Sequence, residues 1–252
     1  MQDIRIQAVL DQQTYPLLFV TLSGSHLYGF SSPDSDYDLR GVHILPVRDV
    51  IGLSEGKETI DFIRTYDGLE IDLVTHDIRK FLKLLLGKNG NVLEAIYSPL
   101  VLFTTPEHEE LQALAMRCVT RYYAYHYLGF ANSQLKLFLK ESPRRVKPLL
   151  YLYRVILCGL YLMRTGQLEP NLVHLNGEFK LPYIPELIER KQAGAEHSLL
   201  EDTDLTFHQE EIARLLKELE ESLQTSVLPE APDPLAHKAL NELLIRLRLR
   251  SA

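Results

Sequence analysis

Residues Leu22 to Leu45 read LSGSHLYGFSSPDSDYDLRGVHIL, and this stretch decides how the N-terminal part of the chain is understood. An apolar, strand-like run from Leu17 to Ser23 leads into a turn at Gly24-Ser25. A second strand-like segment, Asp36 to Leu45, opens with Asp36 and Asp38. Carboxylates at i and i+2 of a strand point to the same face. A pair placed so can bind one hard divalent cation or two of them. The Gly-Ser turn upstream offers backbone N–H groups and a hydroxyl to phosphate oxygens. Together these features predict a metal-dependent site that handles nucleotides.

A third carboxylate is needed to hold two metals against a triphosphate, and Asp72 is the expected one. In Leu69 to Thr75 the apolar residues Leu69, Ile71 and Leu73 share one face, while Glu70 and Asp72 share the other. Asp72 projects from the middle of an apolar strand, where a carboxylate is costly unless paired or metal-bound. Glu70 reads as a solvated edge charge and Asp77 as a helix cap. A calcium loop over Asp34, Asp36 and Asp38 is excluded, because its glycine and closing carboxylate positions hold Leu39 and Leu45.

Outward from this core the pattern predicts a helix over Gln2 to Gln13 and a hairpin of Thr59–Tyr66 and Leu69–Thr75 joined by Asp67-Gly68. A helix over Ile78 to Leu86 follows, capped by Asp77 and Gly87. Breaks at Ser98-Pro99 and Thr104 to Pro106 then give way to helical patterns. These cover Glu107–Leu128, Phe130–Glu141, Val146–Thr165, Pro185–Ala193, Phe207–Gln224 and Pro234–Arg250. Gly166 is expected to stop the helix before it, and Ser226 to Pro234 reads as a Pro-rich linker.

The 252 residues suffice for one large or two modest domains. Hydrophobic content of 46% and charged content of 24% are ordinary for a globular protein. No N-terminal run combines basic residues, an apolar core and a small-residue cleavage site, so a cytoplasmic protein without membrane partners is expected. The apolar stretch Pro148 to Met163 is interrupted by Arg154, which predicts a buried helix and not a membrane span. Cys118 and Cys158 read as buried free thiols. The nine histidines are scattered, which argues against structural zinc. A net charge of −7 weighs against a broad nucleic-acid surface but leaves room for a narrow basic groove.

Gly24-Ser25, Asp36-x-Asp38 and Asp72 within Ile-Asp-Leu resemble the nucleotidyltransferase superfamily typified by DNA polymerase β. The fuller string Gly24-Ser25-x-x-x-Gly29, Ser35-Asp36-x-Asp38, Gly41-Val42 resembles a bacterial and phage branch of it, some of whose members are associated with RNA repair. The resemblance implies an α/β (α+β) fold, with a mixed-sheet catalytic domain at residues 1–104 and a helical substrate-binding domain at 105–252. It implies Mg²⁺-dependent transfer of a nucleoside monophosphate from an NTP to a hydroxyl, releasing pyrophosphate. Asp36, Asp38 and Asp72 would be both the catalytic residues and the ligands of two Mg²⁺ ions, for which Mn²⁺ can substitute. Gly24 and Ser25 would grip the phosphates. An RNA or DNA 3′ end is the favoured acceptor, with a protein or small-molecule hydroxyl second and a non-catalytic nucleotide-binding module third. Base preference and oligomeric state are not legible.

Further polar residues carry weaker signals. For His26 and Tyr28 two uses stand open, contact with the nucleotide or packing of the helix after the turn. Arg40, assigned to the strand face opposite the carboxylates, is expected to form a structural ion pair. Lys136, Lys140, Arg144 and Lys147 follow spacings of four, four and three. The stripe reads as a solvated face or as one wall of the cleft. Lys147, Tyr151 and Arg154 continue it as candidate nucleotide contacts, while Tyr122, Tyr123, Tyr125 and Tyr127 read as packing. Arg246, Arg248 and Arg250 complement a helix C-terminus.

Overall fold

Short runs of apolar residues, continuous in β1 and alternating in β4, produce five strands: β1 (Leu17–Leu22), β2 (Tyr37–His43), β3 (Thr59–Tyr66), β4 (Leu69–Asp77) and β5 (Val101–Thr104). They form one mixed sheet in the order β3-β4-β2-β1-β5. β2 and β4 run parallel, and the other neighbours are antiparallel. The structure is a computed structural model that describes residues 3–66, 68–193 and 202–250. At the β3–β4 hairpin Gly68 holds φ +78°, a conformation that favours glycine; Asp67 of the expected turn lies outside the described residues.

Side-chain alternation gives the sheet two apolar faces. Val20, Leu22, Leu39, Ile71 and Leu73 face helix α1 (Ile4–Asp11), which packs Ile6, Val9 and Leu10 onto them. Full burial of each such side chain contributes about 1.5–3 kcal/mol. After α2 (Gly24–Tyr28) and α3 (Arg48–Ile51), the opposite face is covered by α4 (Ile78–Leu86), α5 (Gly90–Tyr97) and α6 (Pro106–Met116). There Phe19 meets Phe81 edge-on and stacks on His108, and Thr21 Oγ1 donates to Ala95 O at 3.0 Å.

The remaining helices are α7 (Ala124–Lys140), α8 (Val146–Thr165), α9 (Leu172–Phe179), α10 (Tyr183–Ala193), α11 (Asp202–Thr225) and α12 (Ala236–Arg250). α8 is long and apolar enough to cross a membrane, but 78% of that stretch is buried within the protein. Gly166, at φ +72°, ends it as expected. The helical run expected through Leu128 is broken earlier. α6 stops at Met116, a short 3-10 turn occupies Arg121–Tyr123, and α7 then runs through Phe130 without interruption.

Two compact units are assembled from discontinuous stretches. The first comprises Met1–Gly24, Asp36–Val119 and Ala231–Ala252, and the second Ser25–Ser35 and Thr120–Glu230. A boundary after residue 104 therefore differs from this division at both ends, because pairings distant in sequence decide membership. In the first unit Arg246 and Arg250 of α12 pair with Glu110 and Glu107 of α6, so these arginines do more than complement a helix terminus. In the second, the fully buried Lys191 donates to Ser32 Oγ at 2.6 Å and Ser35 Oγ at 3.0 Å, which holds residues 25–35 on the helices.

Candidate active site

Ladder register brings two of the three predicted carboxylates together in the sheet unit. The parallel pairing of β2 with β4 sets Asp38 directly beside Asp72. Both side chains are partly exposed, 18% and 25%, so solvent solutes reach them. Two adjacent carboxylates repel unless a cation intervenes, and here Arg40 supplies it. Its Nη2 donates to Asp38 Oδ1 at 2.8 Å and to Asp72 Oδ2 at 2.9 Å. Nη1 donates to the carbonyls of Leu39 at 2.9 Å and Asp72 at 3.1 Å, fixing the guanidinium between the strands. The expected ion pair is present, but the face assigned to Arg40 is corrected. Two residues after Asp38 on the same strand, it shares the carboxylate face.

Gly24 closes this group from the end of β1. Ser23 N donates to Asp38 O at 2.7 Å, carrying the β1–β2 ladder to the turn. Gly24 then adopts φ +61°, and a Cβ there would sit 1.9 Å from Asp38 Oδ2. The position demands glycine twice, for its backbone and for the space that the Asp38 carboxylate fills.

Asp36 stands in the residue before β2, half-buried, and makes no hydrogen bond or ion pair among the described residues. No three His, Cys, Asp or Glu side chains among the described residues are gathered into a metal-binding group. With one guanidinium on two carboxylates, Arg40 offsets only half of the pair's charge. The donor set nevertheless fits a hard divalent ion: two carboxylates in register already share one cationic group, and a third carboxylate of unengaged charge lies two residues upstream.

The second unit holds the other predicted site residues. Ser25 begins its 25–35 segment, and the Ser25 Oγ is buried without a hydrogen-bond partner among the described residues. Buried polar atoms in native proteins mostly have a partner, either protein or ordered water. His26 is half-buried in α2. Arg154 is 1% exposed, and its guanidinium lies 3.7 Å from the Tyr28 ring centroid. Tyr151 meets Tyr28 and Phe30 edge-on, with centroids 5.5 and 5.4 Å apart. Arg154 and Tyr151 thus brace the segment that follows Ser25. Lys147 is half-buried in the first turn of α8. The basic stripe does not run along one helix: Lys136 and Lys140 belong to α7, whereas Arg144 stands in the connection before α8.

Sequence reasoning put Arg40 on the wrong face and missed Lys191. Arg40 carried a visible signal, the strand period of two. Lys191 carried none, since 156 residues separate it from Ser35.

Comparison with known proteins adds an independent line. The family model described as "RNA repair pathway DNA polymerase beta family" (RlaP) matches residues 2–246. An uncharacterized protein of Methanocaldococcus jannaschii is 34% identical over 158 residues, 61% of this chain and 63% of that relative. The match thus spans somewhat less than two thirds of the archaeal protein's length. The uncharacterized protein YcgL of Bacillus subtilis is 28% identical over 83% of this chain and 84% of its own. Among solved structures, a nucleotidyltransferase-like protein from Exiguobacterium sibiricum aligns with 96% of this chain and 78% of its own, at 15% identity and a TM-score of 0.34.

Proposed function

Because the chain belongs to the RNA repair pathway DNA polymerase beta family, we propose that this polymerase-β-like nucleotidyltransferase moves a nucleoside monophosphate from an NTP to the 3′ hydroxyl of a nucleic acid, RNA foremost. One observation carries the reading: Asp38 and Asp72 stand in register around a shared cationic group, with Gly24 against Asp38.

In this reading Asp36, Asp38 and Asp72 would hold Mg²⁺, two ions per site, with Mn²⁺ as a substitute. Bound metal supplies charge neutralisation for the entering and leaving oxygens of an in-line displacement. Asp72 accepts the proton of the attacking hydroxyl. The hydroxyl oxygen bonds to the α-phosphorus, the bond from that phosphorus to the bridging oxygen breaks, and pyrophosphate departs. The Gly24 turn and the Ser25 hydroxyl donate to the β- and γ-phosphates. Tyr28, held by Arg154 and Tyr151, fixes the segment that carries Ser25; His26 and Lys147 add contacts to the nucleotide.

The test is incubation with each α-labelled NTP, Mg²⁺ or Mn²⁺, and RNA, DNA or protein acceptors. Label on a polynucleotide 3′ end with release of pyrophosphate supports the reading. No pyrophosphate from any NTP and acceptor would overturn it. Label on protein or a small molecule would move the acceptor to the second class, which the net charge of −7 keeps close. Ser25→Ala should weaken NTP binding by about 1 kcal/mol or more, the range for a lost hydrogen bond to a charged group. Calorimetry that finds no loss removes Ser25 from the phosphate site.

A further inference from the structure

Charge is distributed very unevenly along this acidic chain. Residues 121–147 hold six basic side chains against one carboxylate, Glu141, while the whole protein carries −7. α7 itself contains no Asp or Glu. Tyr125, Gly129, Asn132, Lys136 and Lys140 all lie on α7 and all are exposed. At about 100° per residue they fall within roughly 80° of one another, a single line along the helix. The other side of α7 packs on α8 and α11.

Each member of this line suits one kind of ligand. Tyr125, 60% exposed, stacks in parallel on Tyr122 with centroids 6.1 Å apart, so the pair forms a flat aromatic step at the start of the helix. Lys136 and Lys140 make no ion pair among the described residues. Gly129 has no atom within 4 Å of where a Cβ would stand, which leaves the helix backbone open to close approach. Asn132 uses its Nδ2 on Leu128 O and turns its carbonyl oxygen elsewhere. About 16 Å of helix separates Tyr125 from Lys136, room for several nucleotides.

We infer that the exposed face of α7 binds single-stranded polynucleotide, with unpaired bases on the Tyr122–Tyr125 step and backbone phosphates on Lys136 and Lys140. Aromatic platforms beside a basic track are how proteins hold single strands without regard to sequence. A protein partner fits less well, because an acidic partner does not explain the paired tyrosine rings. The inference deepens the polynucleotide reading of the acceptor and rests on it, yet it concerns binding and not chemistry.

The experiment is fluorescence anisotropy with labelled single-stranded RNA, single-stranded DNA and duplex, without NTP. Wild-type protein should prefer single strands over duplex, and RNA against DNA distinguishes the two sources of the same chemistry. Lys136→Ala with Lys140→Ala should weaken binding about tenfold and reduce the slope of log K against log salt by about 1.4. Tyr125→Ala should cost about tenfold without changing that slope. Gly129→Glu raises helix propensity, so it folds at least as well, and it should still weaken binding. All substituted positions are exposed, and thermal melts check that the variants fold. Unchanged affinity in the lysine and Gly129 variants would overturn the inference, as would a wild-type protein that binds no oligonucleotide while labelling another acceptor. That second result leaves nucleotidyl transfer standing. Oligonucleotide binding with the expected losses, but no transfer from any NTP, upholds this face and overturns the catalytic reading instead.

Discussion

Two aspartates on one strand, Asp72 and Asp77, each meet an arginine, and the likeness ends there. Five residues apart on β4, they point to opposite faces. Asp77 is saturated: Arg248 of α12 donates to both its oxygens, the Leu45 and Arg79 amides donate as well, and its side chain is 2% exposed. Arg248 also donates to Leu45 O at 2.6 Å. Asp72 receives from Arg40, and a quarter of its side chain remains open. A carboxylate whose oxygens are all engaged and buried serves the fold. One that keeps acceptor capacity at an accessible sheet face, beside a second carboxylate in register, is available to a ligand.

The strongest way to break this contrast is to exchange the effects. Asp72→Asn should lower transfer by about a thousandfold, within the range for removing a catalytic proton acceptor, and Asp38→Asn should abolish it by removing a metal ligand, with melting little changed in both. Asp77→Ala should do the reverse, costing about 3–5 kcal/mol of stability by stranding the buried Arg248, with normal turnover per folded molecule. Denaturant titration beside an activity assay reads both. A stable Asp77→Ala protein, or a fully active Asp72→Asn, would show the roles to be misassigned.

Arg40 sharpens the comparison at a smaller scale. Arg40→Met leaves Asp38 and Asp72 side by side without their guanidinium. The metal-free protein should lose about 1 kcal/mol, the order for a partly exposed pair, and added Mg²⁺ should restore it. Wild-type protein should respond less to Mg²⁺ in the same melts. Equal stability and no response to Mg²⁺ would show that the two carboxylates do not compete for a cation.

The smallest effect concerns pH, and it belongs to two buried histidines. His43, in register with Asp77, and His108, stacked on Phe19, are both buried, and burial lowers their pKa below the ordinary 6.5. For His43 the Asp77 charge works in the opposite direction without prevailing. The folded protein therefore keeps both rings neutral where the unfolded chain would protonate them. Stability is full above the unfolded value and falls as pH drops through 6.5 toward the depressed folded values. Urea melts at pH 7.5 and 5.5 should differ in that direction, and His43→Gln should narrow the gap. A protein more stable at the lower pH would contradict the buried, neutral assignment.

Where local chemistry speaks, the sequence was a sufficient guide. β3, α4 and α8 follow from alternation, the Asp77 cap and Gly166, all signals contained within a few residues. The short β5 was missed because Val101 and Phe103 are exposed and the strand is only four residues long. α9 was missed although Asn171, which caps it by accepting from Val173 N and His174 N, was a readable start. The candidate site was legible in Gly24, Asp38 and Asp72, because strand period and turn chemistry are local. What brings Lys191 to Ser32, or Arg248 to Asp77, is pairing across 159 and 171 residues, which leaves no periodicity to detect.

The Arg248–Asp77 clamp has a consequence for how the protein is made. Domains tend to fold as units, N-terminal ones first, while synthesis proceeds. Here the first unit receives its last helix only after all of residues 120–230 have left the ribosome. Until then Asp77 waits without its guanidinium, and the faces of α4 and α6 that α12 covers stay wet. The sheet that holds the candidate site is thus begun before residues 120–230 are made and sealed only after them.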